Sequence, residues 1–568
     1  MKKIASLLLC VLILLCGCQV DNRPDTDANQ PNTTTSASVT ASDSGTDSGN
    51  NTTTNTTRGD TSAVSGSATV STNGTTPDAS STASTTTTQP LHPVCEHKDA
   101  NNDEICDVCK ASVVVVFDLY SINDLHGKLA NDDSNIGVDE MTTYLKNARR
   151  NNKNTVLLSA GDMWQGSAES NMTKGKIIVD WMNALDFAAM AIGNHEFDWG
   201  EEYIASNAEM ADFPFLAINI YDRKTNALAD YCAPSVMVEG DGVQIGIIGA
   251  VGDCYSSIAV DKCDEVYFKT GNSLTTLVKV ESQRLRQQGA DFIVYLLHDG
   301  YGQSNSSFLT SAQTSSYYDT SLSNGYVDLV FEGHTHQGYC AVDEHGVYHL
   351  QNHGDNKGGI SHVEVAINSV TQKSTVRKAE LVSDQAYRNL EDDTLISQLL
   401  DKYKDEISPA NRVLGYNSSY RSSSALQQLI AKLYYELGEN TWGEQYDIVL
   451  GGGFMSARSP YNLYTGEVTY ADLQSIFPFD NQITLCSVKG KDLRRKFVET
   501  TNDRYYMHYG DYGNSIRNDI DPNATYYIVT DSYTAYYSYN NLTVVEEYDP
   551  NVFARDLLAE YIENGGLN

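Results

Sequence analysis

The chain has few basic residues for its length. Among 568 residues, 39 are lysine or arginine and 74 are aspartate or glutamate, which gives a formal net charge of −35. Proteins that bind polyanion backbones use clustered lysine and arginine. The negative charge therefore argues against a nucleic acid polymer as partner. Small anions stay compatible with it, because a bound metal can supply local positive charge.

The chain also lacks a hydrophobic run long enough to span a bilayer. The apolar stretch at residues 4–15 follows a short basic start and is too short for a transmembrane helix. This pattern indicates a signal peptide at residues 1–17. The tetrad LCGC that ends at Cys18 resembles a bacterial lipobox, in which that cysteine carries the lipid. We expect an exported protein, anchored by lipid alone on the outer face of the cytoplasmic membrane or cell surface.

Cysteine is sparse in the rest of the chain. Of the 11 cysteines, those at positions 10, 16 and 18 lie in or directly after the signal peptide. Cys254 and Cys263 are close enough in sequence to close a small loop disulfide, although pairing cannot be deduced from sequence. No cysteine has the surroundings of a catalytic thiol.

Large apolar residues are almost missing between the signal peptide and the first strand-like run. Residues 18–92 are mainly Ser, Thr, Asn, Asp and Gly, a composition that cannot offset the entropy of ordering, so we interpret them as a disordered tether.

Residues 93–111 form a small motif with two competing interpretations. The residues Cys95, His97, Cys106 and Cys109 are zinc ligand types, whereas DxNxDxxxD from Asp99 to Asp107 follows a calcium loop. A disulfide-stapled or merely acidic spacer is the third possibility.

The remaining sequence is long enough for two domains with cores of their own. Residues 112–386 alternate apolar strand-like runs with amphipathic stretches, which predicts a layered α/β domain. Residues 387–410 have helical spacing and are predicted to form a linker helix. Residues 411–568 open with a helix and a strand and then contain Tyr-rich strand-like runs, which predicts a smaller α/β domain.

Five apolar runs in the first domain stop at a residue that can bind a metal. If these runs are buried strands, each delivers its polar side chain to the point where strand gives way to loop. In an open α/β sheet, that edge binds ligands. The candidate metal ligands are Asp124, His126, Asp162, Asn194, His298, His334 and His336.

These ligands exceed what one tetrahedral ion accepts, so two divalent ions are the economical interpretation. A mixed nitrogen and oxygen set without thiolate suits zinc, manganese, cobalt or iron, and ligand types alone do not choose among them. Paired ions are the device used for phosphoester hydrolysis. The segment GNHEFDWG adds His195 beside Asn194, and Asp198 three residues on. His195 and Asp198 can act as a dyad that supports developing charge or protonates the leaving oxygen.

The segments INDLHG, AGDMWQGS, GNHEFDWG, LLHDG and GHTH resemble the signature set of the calcineurin-like metallophosphoesterases, in the exported 5′-nucleotidase branch that includes UDP-sugar hydrolases. The resemblance implies an N-terminal two-sheet sandwich flanked by helices. It also implies one ion held by Asp124, His126, Asp162 and His336, and a second held by Asp162, Asn194, His298 and His334. The same roles follow for His195 and Asp198.

The C-terminal region is similar to the substrate-specificity domain of this family in outline. Phe479 and Tyr533 stand where the family has the two faces of a base-stacking clamp, and Arg458 is the nearest replacement for an arginine that Met455 displaces. The GGDG segment of the family and its acidic sugar contact are absent from this sequence. These departures affect nucleotide specificity and leave the hydrolytic residues intact.

Three functions are compatible with the sequence. The first is a cell-surface 5′-nucleotidase that releases phosphate from extracellular nucleotides. The second is the same chemistry on a UDP-sugar, a 2′,3′-cyclic nucleotide or a non-nucleotide phosphoester. The third is a binding lipoprotein without catalysis. The sequence does not indicate an oligomeric state.

Overall fold

The computed structural model describes Cys95 and residues 97–567, except 130–137, 301–319, 355–358, 455–456, 459–461, 500–503, 511–512, 514–515 and 537–540. The chain divides into two compact units, residues 1–95 and residues 96–568. The predicted signal peptide, the lipidation site Cys18 and the tether lie outside the described residues. No helix in the described part of the chain is both long and apolar enough to cross a membrane.

The N-terminal part of the second unit alternates strands and helices, as the sequence predicts. Its strands are β1 Val114–Ile122, β2 Thr155–Ser159, β3 Ala189–Ala191, β4 Phe215–Leu216, β5 Ile220–Asp222, β6 Ser235–Gly240, β7 Val243–Val251, β8 Val266–Phe268, β9 Phe292–His298, β10 Leu329–Glu332, β11 Tyr339–Val342, β12 Tyr348–Gln351, β13 Ile360–Asn368 and β14 Ser374–Val382. Its helices are α1 Val138–Asn151, α2 Ala168–Met172, α3 Lys176–Ala184, α4 Glu201–Met210 and α5 Gly271–Gln287.

Two six-stranded sheets pack face to face in this part. Their strand orders are β14-β13-β1-β2-β3-β4 and β11-β12-β10-β9-β7-β6. Phe117 and Leu119 of the first sheet share a buried cluster with Ile247, Leu296 and Phe331 of the second. The predicted two-sheet sandwich is therefore confirmed.

Helices cover the outer faces of both sheets. On the first sheet, Leu157 and Met190 pack in one cluster with Leu145 of α1 and Trp181 of α3. The outer face of the second sheet packs against α5, which contributes Leu274, Val278 and Leu285 to another cluster. Burial on both faces explains why the strand segments are continuous apolar runs rather than alternating ones.

The parallel strands fix where the site lies. β1, β2, β3 and β4 are parallel neighbours in one sheet, and β7, β9, β10 and β12 are parallel in the other. The carboxyl ends of parallel strands meet at one edge of a sheet. The two layers therefore present their strand ends side by side.

The predicted linker contains two short helices rather than one. These helices, α6 Thr394–Lys402 and α7 Lys404–Ile407, are separated at Tyr403. Asp393 caps α6 by accepting from the Leu395 amide and forms a 2.9 Å ion pair with Lys146. The phenol of Tyr403 donates to Asp180 at 2.7 Å. These contacts hold the linker against the N-terminal part.

The C-terminal part is a smaller α/β assembly. Its strands are β15 Val413–Asn417, β16 Ile448–Phe454, β17 Gly466–Thr469, β18 Ile483–Lys489, β19 Tyr505–His508, β20 Thr525–Asp531 and β21 Thr543–Glu547. Its helices are α8 Ser423–Trp442, α9 Tyr470–Ile476, α10 Gly490–Leu493, α11 Ile516–Asp519, α12 Ser532–Tyr536 and α13 Ala554–Glu563. The main sheet has the order β19-β16-β20-β18-β21. Leu426 and Ile430 of α8 pack with Ile448 and Val529 on one face of it.

One Tyr-rich segment differs from its predicted strand. The sequence TYYIVTD forms β20, but the following residues begin the helix α12. Asp531 explains the change, because its carboxylate accepts from the Thr534 amide at 2.8 Å. An Asp at this position is a typical helix N-cap. Tyr533 therefore lies in the first turn of a helix.

Candidate metal centre and active site

The candidate ligands come together at the carboxyl edge of the two sheets. Asp124 follows β1 and Asp162 follows β2. His298 is the last residue of β9, and His334 comes two residues after β10. Asp124, His126, Asp162 and His298 are at most 1% exposed. The structure therefore brings residues separated by more than two hundred positions into one buried cluster.

Five of the predicted ligands have a left-handed backbone, which is uncommon for residues other than glycine. Their φ angles are 50° at Asp124, 51° at His126, 57° at Asp162, 75° at His334 and 56° at His336. Such conformations cost free energy and cluster at functional sites, where the surrounding structure imposes them. Here they turn each side chain away from its strand direction and into the cluster.

A first group consists of Asp124, His126 and His336. The Nε2 atoms of the two histidines lie 3.0 Å apart, and His336 Nε2 is 3.4 Å from Asp124 Oδ1. The Gln165 carbonyl lies 2.8 Å from His126 Nδ1. A carbonyl accepts the Nδ1 proton of an imidazole and so leaves the Nε2 lone pair for a metal. This group is arranged as one metal-binding half-site.

A second group consists of Asp162, Asn194, His298 and His334. The Nε2 atom of His298 lies 3.1 Å from Asp162 Oδ2 and 3.2 Å from Asn194 Oδ1. His334 Nδ1 is 2.9 Å from the same Asn194 oxygen. The Ala160 carbonyl accepts the other ring nitrogen of His298 at 2.6 Å. Burial and the charge of His298 lower the pKa of His334 to about 4, so its ring is neutral, the form that binds metals.

The two groups adjoin, because one ligand atom from each of Asp124, Asp162 and His298 lies within 4.8 Å of the others. Burial would raise the pKa of Asp162, but the charges of His298 and His195 hold it well below its ordinary value. Two buried carboxylates facing convergent imidazoles match the donor set of a divalent cation site. The residues of this edge therefore fit divalent metals.

His195 and Asp198 form the predicted pair. His195 Nδ1 lies 2.8 Å from Asp198 Oδ2. The backbone amide of His195 donates to Asp162 Oδ1 at 2.8 Å, which connects the pair to the ligand residues. Burial lowers the pKa of His195, but the charges of Asp198 and Asp162 outweigh it and raise the pKa overall.

Glu196 is a site residue that the sequence reasoning missed. Its carboxylate accepts from the backbone amides of Asp162 at 2.9 Å, Met163 at 2.8 Å and Gly193 at 2.6 Å. Glu196 therefore fixes the loops after β2 and β3 to one another. A Cβ at Gly193 would lie 2.3 Å from Asp162 Oδ1, so only glycine lets the two loops approach this closely. Glu196 is part of the GNHE segment, so the residue itself was visible in the sequence. Its role was not, because two of the amides that it accepts from belong to the distant segment at Asp162 and Met163.

A cleft of about 220 Å³ opens beside His195. The N-terminal part lines it with Asn194, His195, Asp198, Ser257, Ala259, Lys262 and His334, and the C-terminal part with Phe454, Phe479, Asp480, Asn481 and Tyr533. The ring of Phe479 is 5.9 Å from that of His195. The ring of Tyr533 is 5.7 Å from that of Phe454. Phe454 and Lys262 were not predicted, although Phe454 directly follows a run of three glycines.

Arg458 reaches the N-terminal part of the protein. Its guanidinium donates to Gln165 Oε1 at 2.7 Å and lies 6.0 Å from the centre of the Phe479 ring. The backbone carbonyl of Gln165 is the partner of His126 Nδ1. Gln165 therefore lies between Arg458 and the first metal-binding group. Met455 lies outside the described residues.

The possible disulfide between Cys254 and Cys263 is not formed, since both residues carry thiols. Cys254 is buried and donates to the His298 carbonyl at 2.9 Å. Its sulfur lies within 4.8 Å of a ring nitrogen of His298 and of His334. Cys254 therefore packs against the ligand residues and is not paired with Cys263.

A chain with this fold and this ligand cluster is a metal-dependent phosphoesterase. Residues 119–338 match the family described as calcineurin-like phosphoesterase, and residues 406–542 match the 5′-nucleotidase C-terminal domain. The protein belongs to the calcineurin-like phosphoesterases that carry this second domain, a group that uses divalent metals.

Two known proteins and one solved structure are similar to this chain over most of its length. Protein UshA of Yersinia enterocolitica is 23% identical over 471 residues, which cover 73% of this chain and 84% of that protein. The 5′-nucleotidase of Homo sapiens is 25% identical over 443 residues, covering 69% and 72%. The crystal structure of a 5′-nucleotidase precursor from Thermus thermophilus has a TM-score of 0.60 at 18% identity and covers 79% of this chain and 96% of that one.

Replacing His195 tests the dyad. We expect His195→Ala to lower kcat by about 10²- to 10⁴-fold, the usual contribution of a general acid or base. Its bound metal should be retained in elemental analysis, because the His195 side chain is not one of the ligands, although its ring packs 5.2 Å from that of His126. His345→Ala, at an exposed histidine in the β11–β12 turn, is the matched control and should keep full activity. Full activity of His195→Ala with normal metal content would contradict the assignment.

Proposed function

We propose that the protein is a nucleotidase that hydrolyses the 5′-phosphate ester of extracellular nucleotides. The observation that carries the proposal is the cleft, which joins His195 and the ligand His334 to the aromatic residues Phe479 and Tyr533. Nucleotides combine a phosphate with a flat base, and aromatic side chains stack on bases. The similarity to 5′-nucleotidases supports the same substrate class.

The metal-binding groups would hold two divalent ions at the phosphate end of this cleft. Asp124, His126 and His336 would hold one, Asn194, His298 and His334 the other, and Asp162 would contact both. Paired ions of this kind acidify water and neutralise charge on a phosphoryl group. Zinc, manganese, cobalt and iron are all compatible with these ligands.

The side chains of the chain itself would orient substrate and move the proton. Asp198 holds the His195 ring through Nδ1, which leaves Nε2 for the reacting oxygens. A raised pKa keeps His195 protonated at higher pH than an ordinary histidine. In that form it can stabilise negative charge on the phosphoryl group or donate a proton to the leaving oxygen.

Phe479 and Tyr533 would bind the base, and Arg458 would contact substrate oxygens. Arg555 fixes the Phe479 segment, since its guanidinium donates to the carbonyls of Phe477 at 3.3 Å and Phe479 at 3.1 Å. Arg555 is itself only 4% exposed. The aromatic face beside His195 is therefore held by a buried arginine rather than by a surface loop alone.

A substrate panel tests the reaction. We expect the purified protein to release phosphate from AMP faster than from UDP-glucose, 2′,3′-cyclic AMP or glucose 6-phosphate. A chelator should abolish the activity and a divalent ion should restore it. Preference for one of the other substrates would assign the same chemistry to a different phosphoester. Failure to hydrolyse any of them with metal bound would instead favour a binding lipoprotein without catalysis.

Substitutions in the cleft test the base-binding role. Phe479→Ala or Tyr533→Ala should raise KM for AMP by about 5- to 150-fold, equivalent to roughly 1–3 kcal/mol of lost stacking. The KM for p-nitrophenyl phosphate, which lacks a base, should change little. Tyr416→Ala is the control, because Tyr416 is 52% exposed. Equal effects on both substrates would show that the rings act on the phosphate end instead.

We also propose that the protein is exported and anchored through lipid on Cys18. The support is the sequence alone, in which a short apolar core precedes LCGC. Cys18→Ala should therefore abolish lipid labelling and release the enzyme from the membrane fraction of an expressing bacterium. Cys16→Ala, two residues earlier, should leave both unchanged. Membrane retention of Cys18→Ala would contradict the lipid anchor.

A further inference from the structure

A second cluster of metal-binding side chains lies ahead of β1, outside the active site. His97, Cys106 and Cys109 each offer one ligand atom, and these atoms lie within 4.8 Å of one another. The sulfur of Cys109 is 3.4 Å from His97 Nδ1. Cys106 is fully buried. Two cysteines and a histidine that converge in this way are the ligand types of a structural zinc site.

The turn that carries the two cysteines is shaped to hold thiolates. The Cys109 amide donates to the sulfur of Cys106 at 3.4 Å, and the Lys110 amide donates to the Cys106 carbonyl at 3.0 Å. Lys110 has a φ of 61°, which closes the turn in the left-handed region. Hydrogen bonds from amides to a sulfur favour its anionic form.

The acidic residues of the same segment close the loop through backbone amides. The two carboxylate oxygens of Asp99 accept from the amides of Asp103 at 3.0 Å and Glu104 at 3.1 Å. Asp107 accepts from Ala100 at 2.8 Å. Asp103 accepts from the Ile105 amide at 3.0 Å. These residues account for the shape of the loop, while the sulfur and imidazole atoms converge on a common point.

The loop is also attached to the phosphoesterase sandwich. The Val113 amide donates to the Glu104 carbonyl at 3.0 Å. From the strands β13 and β14, Asn368 donates to Asp99 at 3.2 Å and Arg377 pairs with Glu104 at 3.5 Å. The cluster therefore braces the segment through which the chain enters β1.

We propose that His97, Cys106 and Cys109 bind a structural zinc ion that fixes this loop on the sandwich. Zinc favours thiolate and imidazole in tetrahedral sites, and the sequence supplies a fourth thiol in Cys95, two residues before His97. On binding, the cysteines give up their thiol protons to solvent. The site is structural, since all its ligands come from the chain and none belongs to the catalytic cluster.

Cobalt substitution tests the proposal in the intact protein. Thiolate bound to Co²⁺ gives a sulfur-to-metal charge-transfer band that nitrogen and oxygen ligands do not give. The wild-type protein should show this band, and Cys106→Ser/Cys109→Ser should lose it. Cys254→Ser should keep the band, which separates the loop from the thiol beside the active site. Lack of the band in the wild type would overturn the proposal without any variant having to fold.

Metal content and activity provide the second measurement. The wild type should retain about one more zinc per chain than Cys106→Ser/Cys109→Ser or His97→Ala in elemental analysis after dialysis. Hydrolysis of p-nitrophenyl phosphate should be preserved in folded variants, with a lower Tm as the expected cost. Equal zinc content in wild type and variants would refute the site.

Thiol alkylation separates zinc from the two other interpretations of this segment. Under non-reducing conditions, Cys106 and Cys109 should react with iodoacetamide only after a chelator has removed the zinc. Cysteines that stay unreactive until a reductant is added would establish a disulfide and exclude the zinc site. Calcium retained in place of zinc, with thiols that react without chelation, would assign the loop to calcium.

Discussion

The arrangement of the site depends on two carboxylates that are buried close together. Asp124 is fully buried and Asp162 is 1% exposed, and an oxygen of each lies within 4.8 Å of a His298 nitrogen. Burying unpaired carboxylates costs several kcal/mol or more. The fold meets this cost with imidazoles, with the His334 amide, which donates to Asp124 at 2.9 Å, and with the His195 amide on Asp162.

This charge compensation explains the local backbone. A ligand that simply continued its strand would point along the sheet face, where apolar neighbours would surround it. Asp124, Asp162 and His334 have left-handed φ angles instead, and their side chains converge in the cluster at the carboxyl edge of the sheets. Glu196 stabilises this backbone conformation by accepting hydrogen bonds from three backbone amides. Burial and the charge of Asp162 raise the pKa of Glu196 to about 7, so even this supporting carboxyl is shaped by the same crowding.

The sequence predicted which residues cluster at the sheet edge better than it predicted which residues line the cleft, for a physical reason. Asp124, Asp162 and His298 were found because a ligand at the end of a buried strand is a local pattern, and parallel strands bring such ends together. Glu196 was missed because its partners are amides from another loop. Tyr533 falls in a Tyr-rich run that the sequence analysis interpreted as strand, whereas the carboxylate of Asp531 starts a helix there. Phe454 and Lys262 depend on how separate elements pack, which no local pattern records.

Ionic contacts connect the C-terminal part to the edge that carries the metal-ligand candidates. Asp480 pairs with Arg555 in its own domain and with Lys174 of the N-terminal part at 2.7 Å. Burial raises the pKa of Asp480, but these two cations outweigh it and lower the pKa, so the carboxylate stays charged. Because Asp480 directly follows Phe479, these ion pairs and the Arg555 hydrogen bond to the Phe479 carbonyl together fix the segment whose ring lies beside His195. The position of the cleft therefore depends in part on ionic contacts of a residue that also lines it, Asp480.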